Sequence, residues 1–345
     1  MGTNTNEAKE AEPPSSLKVG ITFNLKSNKK PDLRDAEAEF DEIDTIYAIQ
    51  GALESAGFTV LLYEAGEDLP IRLLCSKPDI VFNIAEGSNG RGREAQVPAI
   101  LNYLNIPFTA SDETTLCIAM DKSLAKRLVA SYGITTPDFN LVKKSNVHFE
   151  SNLSFPLIVK PNSEGSSKGV SDLSIARDAA SLSRIIKEKI NAYKQDLLLE
   201  EYIPGREFTV GILGNGENLR VFPPMEIILG EQTKGIYSYE VKQNFQKYVE
   251  YRCPPDIDPS LRLEMENMAK RIFMALDLRD VARMDFRLSP EGRIYFIEIN
   301  PLPGLAPGYS DLTIIAQFCG MDYTTLVQTI LHSALVRYGI VGEQQ

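Results

Sequence analysis

Apolar and polar positions follow two different rhythms along the first third of the chain. Leu17–Phe23 is a short, mostly apolar run of the kind that fills a buried strand. Phe40, Ile43, Ile46, Tyr47 and the apolar positions from Ile49 to Leu53 then lie on one side of a helix that ends at Gly57. Phe58–Leu62 and Asp79–Asn83 read as further strands, Arg93–Leu104 as a helix, and Ile106–Thr109 as a short extended piece. Strands separated by helices predict a parallel, doubly wound sheet, whose ligands sit beyond the carboxyl ends of the strands. The loops after Phe23 and Asn83 are therefore the first places to look for chemistry.

The rhythm then changes. A helix is expected over Asp121–Gly133, a strand over Leu157–Lys160, a loop of small residues over Pro161–Gly169 and a charged amphipathic helix over Ile175–Tyr193. A third block opens with Leu197–Ile203 and continues through strands Phe208–Leu213 and Leu219–Leu229 to a long helix, Pro259–Leu276. A hairpin over Val281–Asn300 and two helices, Asp311–Cys319 and Tyr323–Tyr338, complete it. The order divides the chain into a polar, disordered tail (1–16) and three units, 17–112, 113–199 and 200–339.

Composition narrows the class. At about 150 residues per domain, 345 residues predict two to three domains, and a 43% hydrophobic, 24% charged chain can bury a sizeable core. No window approaches about 18 consecutive apolar residues, and the start lacks the apolar run of a secretory signal, so a cytoplasmic protein without a membrane span is expected. With 36 Lys+Arg against 47 Asp+Glu, the net charge of −11 repels nucleic acid, and any anionic ligand needs a local positive pocket. Cys75, Cys117, Cys253 and Cys319 form no C-x-x-C pair and read as reduced, mostly buried thiols. His148 and His332 stand apart from them, so no zinc site is expected.

Two segments carry candidate chemistry. Val159–Ser171 places Lys160 at a strand end, then Gly165, Ser166, Ser167 and Gly169 in a loop able to bend round phosphate oxygens. A flexible, solvated connection is the plainer reading, and the string is not a Walker A loop. Gly87–Gly92 likewise lacks the order of a dinucleotide fingerprint. The second segment is the hairpin. Closing it on Ser289–Gly292 as a type I turn sets Leu288 opposite Arg293 and Asp285 opposite Phe296. Side-chain alternation then puts Asp285, Glu298, Asn300 and Arg283 on one face, and Met284, Phe286, Ile297 and Ile299 on the other. Two carboxylates and an amide oxygen suit Mg²⁺ or Mn²⁺, and Arg283 suits phosphate or a developing negative charge. A merely solvated polar face is the alternative, but the stiff Pro301–Gly308 loop that follows favours a cation site.

Taken together, these residues resemble the D-alanine–D-alanine ligases of the ATP-grasp superfamily. Lys160–Ser171 looks like that family's glycine-rich loop, and Asp285, Glu298 and Asn300 match its magnesium ligands. Met120–Lys122 with Lys126 resembles the first nucleotide-binding lysine segment, and Glu200–Val210 the adenine and ribose stretch. The resemblance runs from about Leu17 to Gly339. It implies a three-domain ATP-grasp fold, α/β in the N-terminal doubly wound parallel sheet and α+β in the ATP-grasp half, where two antiparallel-sheet domains sandwich ATP. It implies Lys122 and Lys160 at the phosphates, Glu200 and Ile203 at adenine, Glu207 at the ribose, Ser166 and Ser167 in the covering loop, and Lys242 near the γ-phosphate. It further implies two Mg²⁺ ions, small-molecule amino acid or carboxylate substrates and a homodimer.

The implied chemistry makes an amide from a carboxylate, an amine and ATP through an acylphosphate. Arg283 and the amide of Gly304 are the candidates for stabilising the tetrahedral oxyanion, and Asn162–Lys168 and Gly230–Gln243 are the candidate lids. The amino-acid half departs from the family. The usual Gly-Gly and Ser-x-Glu-Arg elements are missing after the first strand, where Asp41, Glu42 and Asp44 either bind an ammonium or complement a helix dipole. A loop carrying Glu86 replaces the His-Gly loop, Gln243 replaces a Tyr, and the loop before Ser310 is one residue longer. D-Alanine, another amino acid or a natural-product carboxylate all remain as substrates, and a non-ligating ATP-binding regulatory module is the competing class.

Overall fold

The computed structural model describes residues 17–27, 35, 37–146, 152–165, 168–169, 172–230 and 245–341. The expected tail over 1–16 lies outside them.

The N-terminal unit contains β1 (Lys18–Phe23), α1 (Ile43–Glu54), β2 (Thr59–Glu64), α2 (Leu69–Ser76), β3 (Ile80–Asn83) and α3 (Gln96–Tyr103). The strands are parallel in the order β2-β1-β3, with Ile21 beside both Leu62 and Phe82. Val19, Ile21 and Phe82 pack on Ile46, Ile49 and Leu53 of α1, while Tyr63 and Val81 pack on Leu69, Leu73, Val97 and Leu101 from α2 and α3. Helices thus cover both faces, as the strand–helix rhythm predicts. Helix α2 escapes the periodicity because its two turns bury only Leu69 and Leu73, while Ile71 and Leu74 face solvent.

The helix expected over Asp121–Gly133 is α5 (Lys122–Ser131), and a further helix, α4 (Glu113–Met120), precedes it. Asp121 separates them in an extended conformation, and its carboxylate caps α5 by accepting from Leu124 N at 3.1 Å. The central sheet follows: β4 (Phe139–Val142), β5 (Leu157–Pro161), β6 (Ile175–Ala176) and β7 (Leu197–Glu201), antiparallel in the order β4-β7-β5-β6. Helix α6 (Ala179–Tyr193) covers it with Leu182, Ile185 and Ile186. It starts four residues later than expected because Asp178 and Ser181 form a reciprocal capping box.

The last unit contains β8 (Arg206–Leu213), β9 (Arg220–Val221), β10 (Met225–Leu229), α7 (Phe245–Tyr248), β11 (Val249–Arg252), α8 (Pro259–Ala275), β12 (Val281–Leu288), β13 (Ile294–Asn300), α9 (Asp311–Phe318) and α10 (Tyr323–Arg337). Its sheet runs β11-β10-β8-β12-β13, with β9 on β8. The strand expected over Leu219–Leu229 is split because Pro223 and Pro224 cannot donate to a ladder. Met265, Ala269 and Ile272 of α8 pack on Phe208, Val210, Met284 and Phe286. Helices α9 and α10 turn back, and Leu312, Ile315, Ile330 and Leu331 share the core of β1 and α1. That shared core brings the amino-terminal loops up against the β12–β13 hairpin.

The hairpin register differs from the expected one. Gly292 at φ 81° adds a residue after the Ser289–Gly292 turn, so Leu288 faces Ile294 rather than Arg293. A bulge between Asp285/Phe286 and their partners then sets Phe286 opposite Phe296 but Asp285 opposite Glu298. In an unbroken strand, Phe296, Glu298 and Asn300 would share a face. The extra residue, Ile297, leaves Phe296 fully buried in the core and turns Glu298 and Asn300 to the opposite side with Asp285. Ile297, expected on the apolar side, is only half-buried.

The cysteines also correct the sequence reading. Cys75 and Cys117 are exposed and Cys253 and Cys319 half-buried. Cys75 and Cys117 occupy the outer faces of α2 and α4, whose inner positions belong to Leu73 and to Leu116 and Met120. Among the described residues no helix is long and apolar enough to cross a membrane.

Candidate active site

The bulged hairpin opens onto a cavity of about 540 Å³ between the N-terminal and C-terminal units. Glu42, Glu86, Lys122, Arg283, Asn300, Gly304 and Ser310 all line it, although they come from separate stretches of the chain. Arg283 is nearly buried and forked: its Nε and Nη2 donate to Asp285 at 3.2 and 3.1 Å, and its Nη1 lies 3.2 Å from Asp311 Oδ2. Burial disfavours this charge, but Asp285 and Asp311 outweigh it and raise the pKa above the usual arginine value. Asp285 also accepts from Thr209 Oγ1 at 2.7 Å and from Asn300 Nδ2 at 3.2 Å. Donation by that amide nitrogen leaves Asn300 Oδ1 as the acceptor atom of the side chain.

Glu298 meets Lys122, with Oε2 to Nζ at 3.0 Å. Burial opposes ionisation of Glu298, yet Lys122, Lys160 and Arg283 together hold its carboxyl at about 2. Lys122 is placed from behind, because its amide donates to Asn162 O at 3.0 Å and Nζ donates to Glu164 O at 2.6 Å. Two carboxyl groups and an amide oxygen beside two cations make a donor set of hard oxygens that fits a magnesium-type ion.

Behind Lys122, one turn along α5, Lys126 lies 2.8 Å from Glu200 Oε2, while Lys160 donates to Glu200 Oε1 at 3.1 Å. Burial lowers Lys126 to about 8 despite Glu200, and the two lysines keep Glu200 ionised against its own burial. Glu200, expected at adenine, therefore spends its carboxylate as the counterion of two buried lysines. Glu207 accepts from Arg287 Nη2 at 2.8 Å, and the same guanidinium donates to Ile203 O at 3.0 Å and stacks on the Tyr202 ring. Ser310, expected at a substrate, turns its hydroxyl inward to accept from Ala306 N at 3.0 Å beside Gly304.

The glycine-rich loop is held by carboxylates. Gly165 N donates to Glu39, and Gly169 N donates to Asp35 Oδ2 at 2.7 Å, with Tyr193 OH on the same oxygen at 2.8 Å. Glu39 is also clamped by Arg93 Nη2 at 2.7 and 2.6 Å. These amides thus bind oxyanions, which is the property a phosphate cradle needs. Ser166, Ser167, Lys242 and Gln243 lie outside the described residues, as does most of the Gly230–Gln243 lid.

Opposite the hairpin, the cavity wall is acidic: Glu39, Asp41, Glu42, Asp44, Glu86 and Glu94. Burial pushes Asp41 to about 7, and burial with Glu39 as neighbour pushes Glu94 to about 7. Such carboxyls keep their proton in the folded state at a pH where the unfolded chain has lost it, so stability falls as pH rises. Urea unfolding should therefore show a decline from about pH 4.5 to about pH 7 from these groups, flattened in Glu94→Gln. A wild-type slope no steeper than that of the variant would contradict the assignment.

Asp35, Glu39, Glu94 and Asp311 escaped the sequence reading, whereas Lys126 was expected beside Lys122. Only Lys126 carried a local signal, being four residues after Lys122 and hence on the same helical face. The others reach the site through loops and shared cores that no periodicity reports.

The comparisons bear on the whole chain. The family model described as D-ala D-ala ligase C-terminus matches residues 128–332. The D-alanine–D-alanine ligase of Aquifex aeolicus is 35% identical over 299 residues, 86% of this chain and 97% of that protein. An uncharacterized protein of Sinorhizobium fredii is 33% identical, over 86% of this chain and 89% of its own length. A solved structure of the Bacillus anthracis D-alanine–D-alanine ligase complexed with ATP superposes with a TM-score of 0.74 at 22% identity, covering 94% of this chain and all of that one, a likeness of fold. The chain belongs to the D-alanine–D-alanine ligase family, ATP-grasp enzymes that use ATP to form an amide bond.

Proposed function

We propose that this chain joins the carboxylate of one amino acid to the amine of a second small molecule, with release of ADP and phosphate. One observation carries the reading: the bulge at Ile297 brings Asp285, Glu298 and Asn300 to one side of the hairpin, where Asn300, Lys122 and Arg283 line the cavity and the two cations pair with Glu298 and Asp285. In this reading the units 17–112, 113–199 and 200–339 enclose the substrates, and Glu200, Ile203 and Glu207 border the adenosine, with Glu200 acting through Lys126 and Lys160. Lys122 and Lys160 neutralise the phosphates under the glycine-rich loop, with Ser166, Ser167 and Lys242 completing the cover.

Asp285, Glu298 and Asn300 would hold one or two Mg²⁺ ions, which supply charge neutralisation at the terminal phosphates. A substrate carboxylate attacks the γ-phosphorus in line and becomes an acylphosphate, and the amine then attacks its carbonyl carbon. Arg283, held between Asp285 and Asp311, supplies positive charge to the oxyanion, with the amide of Gly304, a residue of the same cavity lining, as the second donor. Glu42, Glu86, Gln243 and Ser310 belong to the amino-acid side, and a cytoplasmic homodimer completes the reading.

The test is ADP release from ATP and a panel of D- and L-amino acids, with and without Mg²⁺. Amino-acid-dependent ADP release that chelation abolishes and Mg²⁺ restores is the expected result. Tight nucleotide binding with no turnover on any acceptor would favour a regulatory module.

A further inference from the structure

We infer that the amino acid activated in this cavity carries a second cationic group, an ammonium or amidine beyond its α-ammonium, which docks between Glu86 and Glu94. The inference rests on the ligase reading and names the substrate class of the same site. The cavity is bipolar: Lys122, Arg283 and Asn300 line one wall together with Asp311 and Glu164, and six carboxyls line the other, where Lys26 pairs with Glu42. A substrate carboxylate belongs at the first wall. An α-ammonium needs about one carboxylate partner at the second, and Asp44 in the first turn of α1 offers one, while Glu42 is paired with Lys26 Nζ at 3.2 Å.

Glu86 and Glu94 are therefore in excess. They lie within hydrogen-bond reach of each other. Among the described residues no lysine or arginine is within ion-pair distance of either, and Glu94 is only 8% exposed. Glu39 cannot serve them, since Arg93, Lys168 and the Gly165 amide occupy it. Two adjacent carboxyls in a poorly solvated wall either share a proton or receive a cation. Both are pushed up by burial, Glu94 to about 7, although Arg93 pulls both down and Lys122 pulls down Glu94.

The geometry favours an organic cation over a metal ion. Glu39, Glu86 and Glu94 do converge within 4.8 Å. With Glu39 committed elsewhere, two carboxyls remain, well short of the roughly six oxygen ligands a hard divalent ion takes. The cavity of about 540 Å³ has room for a side chain that spans from the cationic wall to this pair.

The experiment measures ADP release with Mg²⁺ and ATP for D- and L-lysine and ornithine, each against its neutral isostere, norleucine and norvaline, and against alanine. Equilibrium binding of the same amino acids is measured by calorimetry. At least one diamino acid should exceed its isostere by about 100-fold in kcat/KM. Glu86→Gln and Glu94→Gln should each shrink that ratio by about tenfold or more and leave KM for ATP within about twofold. Turnover of alanine or norleucine equal to that of lysine overturns the inference and leaves the ligase reading standing. Absence of ADP release with every amino acid instead defeats the ligase reading. Calorimetry then decides the subsite: selective diamino-acid binding that weakens in both variants supports it, and unselective binding overturns it.

Discussion

Glu298→Gln and Asp285→Asn are each expected to lower ADP release by about 10³-fold while the far-UV spectrum stays that of the wild type. Both replacements keep volume and remove one negative charge. Neither residue belongs to the apolar core, because the bulge puts both on the cleft side of the sheet. In Glu298→Gln, Lys122 loses its counterion but keeps the Glu164 carbonyl. In Asp285→Asn, Arg283 keeps Asp311. The stability change should therefore be about 1–3 kcal/mol, the cost of weakening a charged hydrogen bond. Activity should recover in part as Mg²⁺ is raised, since one ligand of three is altered. Wild-type turnover at ordinary Mg²⁺ in either variant would remove the cation assignment.

The second large effect is on folding. Glu200→Gln should destabilise the protein by about 3–5 kcal/mol, because it leaves Lys126 and Lys160 buried beside one another without their shared counterion. At about 2–4 °C per kcal/mol, Tm should fall by roughly 10 °C. The pair Glu200→Gln with Lys126→Met should regain part of the loss, since it removes one of the stranded charges, and the coupling energy of that cycle separates electrostatics from packing. A loss below about 1 kcal/mol would mean that the lysines find water instead. The same substitution should raise KM for ATP, because Lys160 would no longer be held in place.

Several elements were legible because one periodicity sufficed for each. The β1, β3 and β8 runs, the long α8 and α10 stripes and the hairpin turn stand within a few residues of their expected limits. Failures occurred where a polar side chain or proline overrode the pattern. Asp178 delays one helix and Pro223-Pro224 divides a strand. Strand Leu197–Glu201, expected to open the third block, instead pairs between β5 and β4 of the central sheet, because strand pairing depends on what is adjacent in space.

The candidate site divides in the same manner. Asp285, Glu298, Asn300 and Arg283 could be read from one hairpin because alternation is a local property of strands. Their common face was expected from an unbroken ladder, whereas the chain achieves it with a turn residue at positive φ and a bulge that slips the register. The acidic wall was legible only in part: Asp41, Glu42, Asp44 and Glu86 were singled out on the amino-acid side, but Glu39 and Glu94 were not. Glu39, Glu86 and Glu94 lie in loops and a helix start separated by up to 55 positions, and each alone is an ordinary surface acid. Local residue order governs which segments become strands and helices and which of them carry charge, because hydrogen-bonding geometry repeats over a few residues. Burial, counterion choice and the meeting of an acidic wall with a cationic one arise only when distant segments exclude water together, and that depends on three-dimensional packing.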